Sequence, residues 1–332
     1  MANPTNYEKV TDLEKHIKLV LYLFTLVLGV SGNTLVLVIL ARKIRRVSND
    51  VFIINLAVAD LTLLVFSVPV MVLYYGEFNS PDFVCKVVWP MMTVSNTVSI
   101  FTLTLMAICR CHVILHSFRP DIRQRNIYRA ISLTWICSLI LLLPLMIVAT
   151  SNPVGGCKED WLSKMDGKIY TIVLVILQYV LPLTLIAIAY VWIAVDLWKP
   201  RNLNSAWTAT DRKGREKRRK ENVQIVKTLA TIVVLFAICM LPGHIAWLLG
   251  DFYDEGKNKV VAAVILRFFD ILVYVHSCLN PIVYGTLTKY FRREYSRYIS
   301  YVFCCRKQLH SNNSRPSHNP THENILPRTL SL

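Results

Sequence analysis

Apolar residues fall into seven long blocks along the chain, separated by short polar and basic stretches. The third block, Val84–Leu115, is almost unbroken and exceeds the ~20 residues that a helix needs to cross a ~30 Å hydrocarbon core. Small polar residues interrupt its middle (Ser95, Asn96, Ser99), and Arg110 stands near its end. An Arg at that depth is costly in lipid, so it is expected to face protein or water and to mark a functional site. The other blocks predict spans over Ile17–Leu40, Val51–Tyr75, Ala130–Ala149, Ile169–Leu197, Val223–Leu249 and Val260–Tyr284. Each is long enough to cross, and membrane helices tolerate the Pro residues within several of them.

Beyond the seventh block, Phe291, Tyr295, Tyr298, Ile299 and Val302 recur at helical spacing, with Lys289, Arg292, Arg293 and Arg297 between them. This predicts a short basic amphipathic helix on the inner membrane surface. Cys304-Cys305 follows, placed for S-palmitoylation as a second lipid anchor; a plain pair of reduced thiols is the alternative. The expected fold class is all-α, a seven-transmembrane helix bundle with a short amphipathic cytoplasmic helix. Its expected parts are an extracellular segment (1–16), the membrane domain (17–286), the amphipathic helix with its Cys pair (287–305) and a disordered polar tail (306–332).

Composition supports the membrane reading: 54% of residues are hydrophobic, 17% are charged and the mean hydropathy is +0.43. Such a balance argues for a polytopic membrane protein over a soluble globule. A net charge of +16 suggests nucleic acid at first sight, but no nucleic-acid-binding motif accompanies it. The basic residues instead cluster in the loops 41–50, 116–129 and 198–222, while the intervening loops are mixed. The positive-inside rule then places those loops and the C-terminus in the cytoplasm and the N-terminus outside, at the plasma membrane. Residues 1–16 are polar, so the first span is expected to act as its own insertion signal. Nine Cys residues are scattered without CxxC or metal-ligand spacing. No nucleophile–base pair is visible, which argues against an enzyme or a required cofactor.

Asn33, Asp60, Ser99 and Asn280 each interrupt an otherwise apolar span. A lone Ser is ordinarily a satisfied helix hydrogen bond, but an intramembrane Asp is rare and needs partners. Asp60 can bind a hard cation through carboxylate, hydroxyl and amide oxygens. His276, one turn before Asn280, reaches the same region.

Several motifs occur together in order. They are Gly32-Asn33, Leu56-Ala57-Val58-Ala59-Asp60, Cys85 and Arg110 at the ends of span three, Trp135, Pro182 with Tyr190, Cys239-x-x-Pro242, and Asn280-Pro281-x-x-Tyr284. In this set the chain resembles the rhodopsin-like (class A) G protein-coupled receptors over about residues 17–305. Ser99-Ile100-Phe101-Thr102-Leu103-Thr104 looks most like neuropeptide receptors. The resemblance implies a Cys85–Cys157 disulfide and an allosteric Na⁺ site on Asp60 and Ser99 with Asn280 and His276 nearby. It also implies a coupling switch built on Arg110, Tyr190, Phe236 and Tyr284. The implied partners are an extracellular peptide, a heterotrimeric G protein, arrestin and membrane lipid.

Three positions depart from the family pattern. The acid that usually precedes the Arg is Cys109, the aromatic two residues before the span-six Pro is Met240, and an expected acid at the inner end of span six is Asn222. Amine receptors resemble one another in an Asp where this chain has Met92, and span seven has no Lys for a retinal Schiff base. The expected ligand contacts are Met92, Asn96, Gln178, His244, Trp247, Arg267, Asp270 and Tyr274. Arg267 and Asp270 also sit at i, i+3, where they can simply pair with each other. Two other readings stay open: a non-peptide, arrestin-biased or decoy receptor, and a transporter or channel. The second is disfavoured because no internal repeat is visible.

Overall fold

The computed structural model describes residues 12–44, 46–75, 82–116, 122–151, 157–198, 209–253 and 257–312. Among these, seven helical spans are long and apolar enough to cross a membrane. The first two are α1 (Asp12–Ala41) and α2 (Ser48–Tyr75). The third span opens with a π-helical turn, Val84–Val88, and continues as α3 (Trp89–Leu115). After α4 (Gln124–Val148) come two short strands, β1 (Ala149–Ser151) and β2 (Cys157–Glu159). The fifth span is α5 (Lys164–Val175), a second π turn at Ile176–Val180, and α6 (Leu181–Trp198). The last two spans are α7 (Ala209–Phe252) and α8 (Lys257–Leu287). α9 (Lys289–Asn312) follows.

Several boundaries move outward from the sequence reading. α4 begins at Gln124, so Arg125 and Arg129 are helical and not loop residues. α7 begins at Ala209, so the basic run Arg212–Lys220 continues the sixth helix where a loop was expected. That run is rich in Lys, Arg and Glu, all good helix formers, and contains no Pro. α1 starts within the segment read as extracellular, with Asp12 and Glu14 in its first turn, where the helix dipole favours acids. α9 runs past residue 305; Cys304 and Cys305 lie on it, and their side chains fall outside the described residues. Arg45, Glu77, Arg119, Asp254, Glu255 and the side chain of Tyr74 fall outside them too. Residues from Arg293 onward form a separate unit. Within it Arg297 Nη1 lies 3.8 Å from Glu294 Oε2.

In lipid the usual pattern of burial inverts, and α1 displays it. Lys18, Tyr22, Thr25, Gly29, Asn33, Val36 and Leu40 recur every three or four residues and form its buried stripe. Val20, Leu23, Phe24 and Val27 are exposed. The inward face thus carries the polar groups and the outward face the hydrocarbon. Gly29 permits close helix approach, since a Cβ there would collide with Leu64 of α2. Gly243 of α7 plays the same part against the ring of Phe269 on α8.

Asn55 ties three helices together. Its Nδ2 donates to Thr102 Oγ1 of α3 at 2.7 Å, and its Oδ1 accepts from Trp135 Nε1 of α4 at 2.9 Å. Beside it Ala59, Val94, Val98, Leu142 and Leu145 form a buried cluster. At one end of the bundle β1 and β2 pair antiparallel, with Ser151 opposite Cys157 and Ala149 opposite Glu159. Asp82 Oδ1 accepts from the Ser151 N–H at 3.0 Å, and Cys157 is disulfide-bonded to Cys85, so the hairpin is fastened to the start of the third span at two points.

Candidate functional site

Chemistry-bearing side chains gather at three depths. Beneath the hairpin lies a cavity of about 360 Å³. Trp89, Trp161 and Trp247 line it, as do Glu159 and Asp251. The Trp89 and Trp247 ring centroids are 6.4 Å apart. Glu159 Oε2 accepts from the Trp161 indole N–H at 2.6 Å, and the Thr171 hydroxyl bonds Asp251. Burial pushes the Glu159 carboxyl above the usual carboxylate range; the Trp161 bond pulls it back, and the negative charge of Asp251 pushes it further up. The two carboxylates repel each other, and Lys158, Lys164 and Lys168 line the same cavity, so both signs of charge stand beside its aromatic faces. Of these residues the sequence reading named Trp247.

The other expected ligand contacts are distributed below and beside this cavity. Met92 and Asn96 share a face of α3, and Asn96 Nδ2 reaches Met240 Sδ at 3.4 Å. Gln178 is buried on the π turn of the fifth span and donates to Thr97 Oγ1 at 2.9 Å. His244 packs against the ring of Tyr179 with centroids 4.9 Å apart. Tyr274 sits edge-on to Tyr22 at 5.6 Å.

Arg267 does not need Asp270 as its partner. Its Nε lies 2.5 Å from Oε1 of Glu14 on α1. The same Glu14 oxygen is 3.2 Å from Nζ of Lys18, which is fully buried, donates to the Arg267 carbonyl at 2.7 Å and lies 4.9 Å from the centre of the Phe268 ring. Asp270 feels the Lys18 charge as well. Glu14 and Lys18 were missed in the sequence reading. Lys18 was detectable in principle, as a cation on the α1 stripe that includes Asn33.

At mid-depth Asp60 is buried, and Asn280 Nδ2 donates to its Oδ2 at 2.8 Å. The Ser277 hydroxyl donates to the Val273 carbonyl of its own helix at 3.5 Å. Ser99 is buried on α3. Asn33 Nδ2 donates to the Ser277 carbonyl at 3.0 Å, which links α1 to the group. His276 packs edge-on to Phe236 at 5.3 Å, and no hydrogen-bond partner reaches its Nε2 among the described residues. The buried Asp60 carboxylate is the kind of oxygen ligand that a hard cation such as Na⁺ takes.

At the far end Arg110 Nε donates to Asn49 Oδ1 of α2 at 3.3 Å. Asn49 was not anticipated from sequence. Glu216, within α7's basic run, pairs with Lys220 at 2.7 Å. Tyr284 stacks on Phe291 at 5.3 Å. The Tyr190 hydroxyl has no hydrogen-bond partner among the described residues. Gln224 of α7 donates to the Leu287 carbonyl, and Arg219 Nη2 donates to the Leu197 carbonyl at 2.7 Å, so the inner part of α7 is tied to both neighbouring spans.

The model of the 7 transmembrane receptor (rhodopsin family) matches residues 32–284. The chain belongs to this family. The receptor is 32% identical to galanin receptor type 1 of Mus musculus, with 93% of this chain and 91% of the relative covered. It is 29% identical to neuropeptide Y receptor type 6 of Mus musculus, covering 86% and 81%. It is 27% identical to the QRFP-like peptide receptor of Branchiostoma floridae, covering 85% and 77%. With seven membrane-crossing helices and this membership, the receptor is a multi-pass membrane protein.

The ion cluster where the start of α1 meets α8 yields a stability test. Glu14→Gln leaves Lys18 and Arg267 facing each other without their shared anion, and breaking a partly buried pair in this way costs about 2 kcal/mol or more. Lys18→Met removes the cation that both Glu14 and Asp270 feel, so it too is destabilising. Thermal melts of the purified receptor should place both variants below wild type. A Glu14→Gln melt equal to wild type would contradict the cluster.

Proposed function

We propose that this chain is a plasma-membrane receptor for a neuropeptide, with its N-terminus outside, that passes ligand binding to heterotrimeric G proteins. The cavity under the disulfide-fastened hairpin carries the reading. It offers three Trp surfaces for apolar anchors and the Glu159–Asp251 pair for a cationic group, a combination common at protein–peptide hot spots. Relatives named for galanin, neuropeptide Y and QRFP-like peptide support the same ligand class. Asp270 keeps its place as an expected ligand contact, and Asp251 and Glu159 on the cavity wall are further acids for a ligand cation. Ligand bound here favours a state in which the inner ends of the fifth and sixth spans part, a population shift that exposes Arg110 to the G protein. Arrestin is the further cytoplasmic partner, and Cys304 and Cys305 are the palmitoylation sites.

Screening a neuropeptide panel on cells that express the receptor, with G protein activation as the readout, tests the function directly. For the active peptide, Asp251→Ala should weaken potency at least about tenfold, the scale of one lost charge-assisted contact. A panel without any active peptide at confirmed surface expression would overturn the ligand class. Unchanged potency in Asp251→Ala would overturn the cation subsite.

When bound, Na⁺ supplies a counter-charge to Asp60, held by that carboxylate and Ser99 with Asn280 and His276 nearby, and favours the resting state. Asp60→Asn should abolish the Na⁺ dependence of agonist affinity. Persistence of that dependence would place the ion elsewhere.

Cys109 offers Arg110 only a weak thiol contact, and Asn49 offers a neutral acceptor in place of a carboxylate. Charge-assisted bonds are the stronger kind, and ~1.4 kcal/mol changes a two-state ratio tenfold. Basal G protein activation should therefore fall in Cys109→Asp and rise in Asn49→Ala, compared at matched surface expression. No change in either variant would show that Arg110 does not set the resting state.

A further inference from the structure

Two histidines at the end of the third span have no task in the proposed signalling route. In His112-Val113-Ile114-Leu115-His116 they stand four residues apart and share one face of the last turn of α3. Their ring centroids are 4.7 Å apart and the planes 30° from parallel. The His116 backbone N–H still bonds the His112 carbonyl at 3.0 Å, so helical geometry holds the pair through the C-cap. His116 Nδ1 lies 3.2 Å from the same carbonyl. A carbonyl only accepts, so Nδ1 carries the proton in that bond and Nε2 keeps a bare lone pair. His112 is half-buried and His116 is exposed. Among the described residues no other side chain stacks on or hydrogen-bonds either ring. α3 carries no acid from Trp89 to Leu115, so an ion pair on their own helix does not account for them either.

We infer that His112 and His116 form a two-imidazole site for Zn²⁺, and that an ion held there opposes engagement of the G protein. The second part rests on the proposed function, which gives this end of α3 to the transducer; the first part does not. Neutral imidazole is a preferred Zn²⁺ ligand, and two His four apart on one helix face are the pair that zinc-binding helices use. With Zn–N bonds of about 2.0 Å at a tetrahedral angle, the two donor nitrogens stand roughly 3.3 Å apart. Two near-parallel rings on adjacent turns reach that separation by side-chain rotation, with the backbone unmoved. The carbonyl bond on His116 Nδ1 is the outer contact that fixes the tautomer and leaves Nε2 to the metal. The last turn of a helix also favours positive charge. Among the described residues no third His, Cys, Asp or Glu completes the group, so water fills the other two positions. Structural Zn²⁺ sites are closed by four protein ligands; this open one suits modulation and not support of the fold. Arg110 stands two residues before His112. A hydrated dication on the His pair therefore sets bulk and positive charge close to the arginine that the proposed route presents to the transducer.

Calorimetric titration of Zn²⁺ into the purified full-length receptor in detergent reads the site without peptide or G protein. Wild type should show a binding step that His112→Gln and His116→Gln each weaken at least about tenfold, because a chelate fails when either arm is removed. His112→Gln/His116→Gln should lose little more than either single variant. His310→Gln/His318→Gln/His322→Gln, which removes histidines far along the chain, should leave the step within about twofold. Mg²⁺, which prefers oxygen ligands, should produce no such step. Unchanged Zn²⁺ affinity in both single variants would overturn the site. So would single variants that keep full affinity and lose only part of the stoichiometry, the mark of two independent imidazoles. In membranes at matched receptor density, saturating Zn²⁺ should lower basal G protein activation by wild type about twofold or more and have no effect on His112→Gln/His116→Gln. An equal response of the two, or none from wild type, would overturn the opposition to the transducer. A receptor without G protein activation under any condition counts against the proposed function, and the titration still decides the metal site.

Discussion

Hydrocarbon offers no partner to a polar group, so polar side chains that reach across from one helix to another hold the helices of this bundle in register. Asn55 is the clearest instance. A single amide on α2 uses its donor on α3 and its acceptor on α4, and loss of that side chain would take a partner from both Thr102 and Trp135. Asp60 extends the same logic to α8 through Asn280, and Asn33 brings in α1 through the Ser277 carbonyl. The polar axis of the receptor is thus a chain of mutual obligations running through its first four helices and its last span. Apolar packing fills the space around it.

That axis runs between two ends of different chemistry. The end that carries the hairpin concentrates charge: a carboxylate pair inside an aromatic cavity and an ion cluster where α1 meets α8. The opposite end sets Arg110 beside Asn49. Between them, polar contacts across helices such as Gln178–Thr97 and Asn96–Met240 connect α3 to the fifth and sixth spans. A change in how α3 sits against those spans therefore alters both ends at once.

The spans and the Arg110 position were legible in the sequence because lipid imposes long apolar runs and makes any interruption conspicuous. The Cys85–Cys157 bond was legible only through resemblance. Glu14 and Lys18 were not read, because pairing with Arg267 across the whole chain depends on α1 lying beside α8. Glu159 and Asp251 looked like ordinary loop charges; only the hairpin folding over α7 turns them into cavity walls. Asn152-Pro153-Val154-Gly155-Gly156 carried a turn signal, but strands of three residues are too short to show alternation. The two π turns leave no compositional mark, since one extra residue per turn changes no residue type.

The length of α7 has a mechanical meaning. From Pro242 to Ala209 the helix extends about 50 Å at 1.5 Å per residue. About Pro242 as a pivot, its short side bears Trp247 and Asp251 of the hairpin cavity and its long arm carries the basic run Arg212–Lys220. A tilt of about 10° at that pivot carries the far tip by about 9 Å, while residues next to Pro242 move by less than a bond length. A displacement too small to disturb packing around Phe269 can therefore sweep a strongly basic rod through several ångströms on the other side. The ties from Gln224 and Arg219 act on the long arm, where a small restraining force has the greatest leverage.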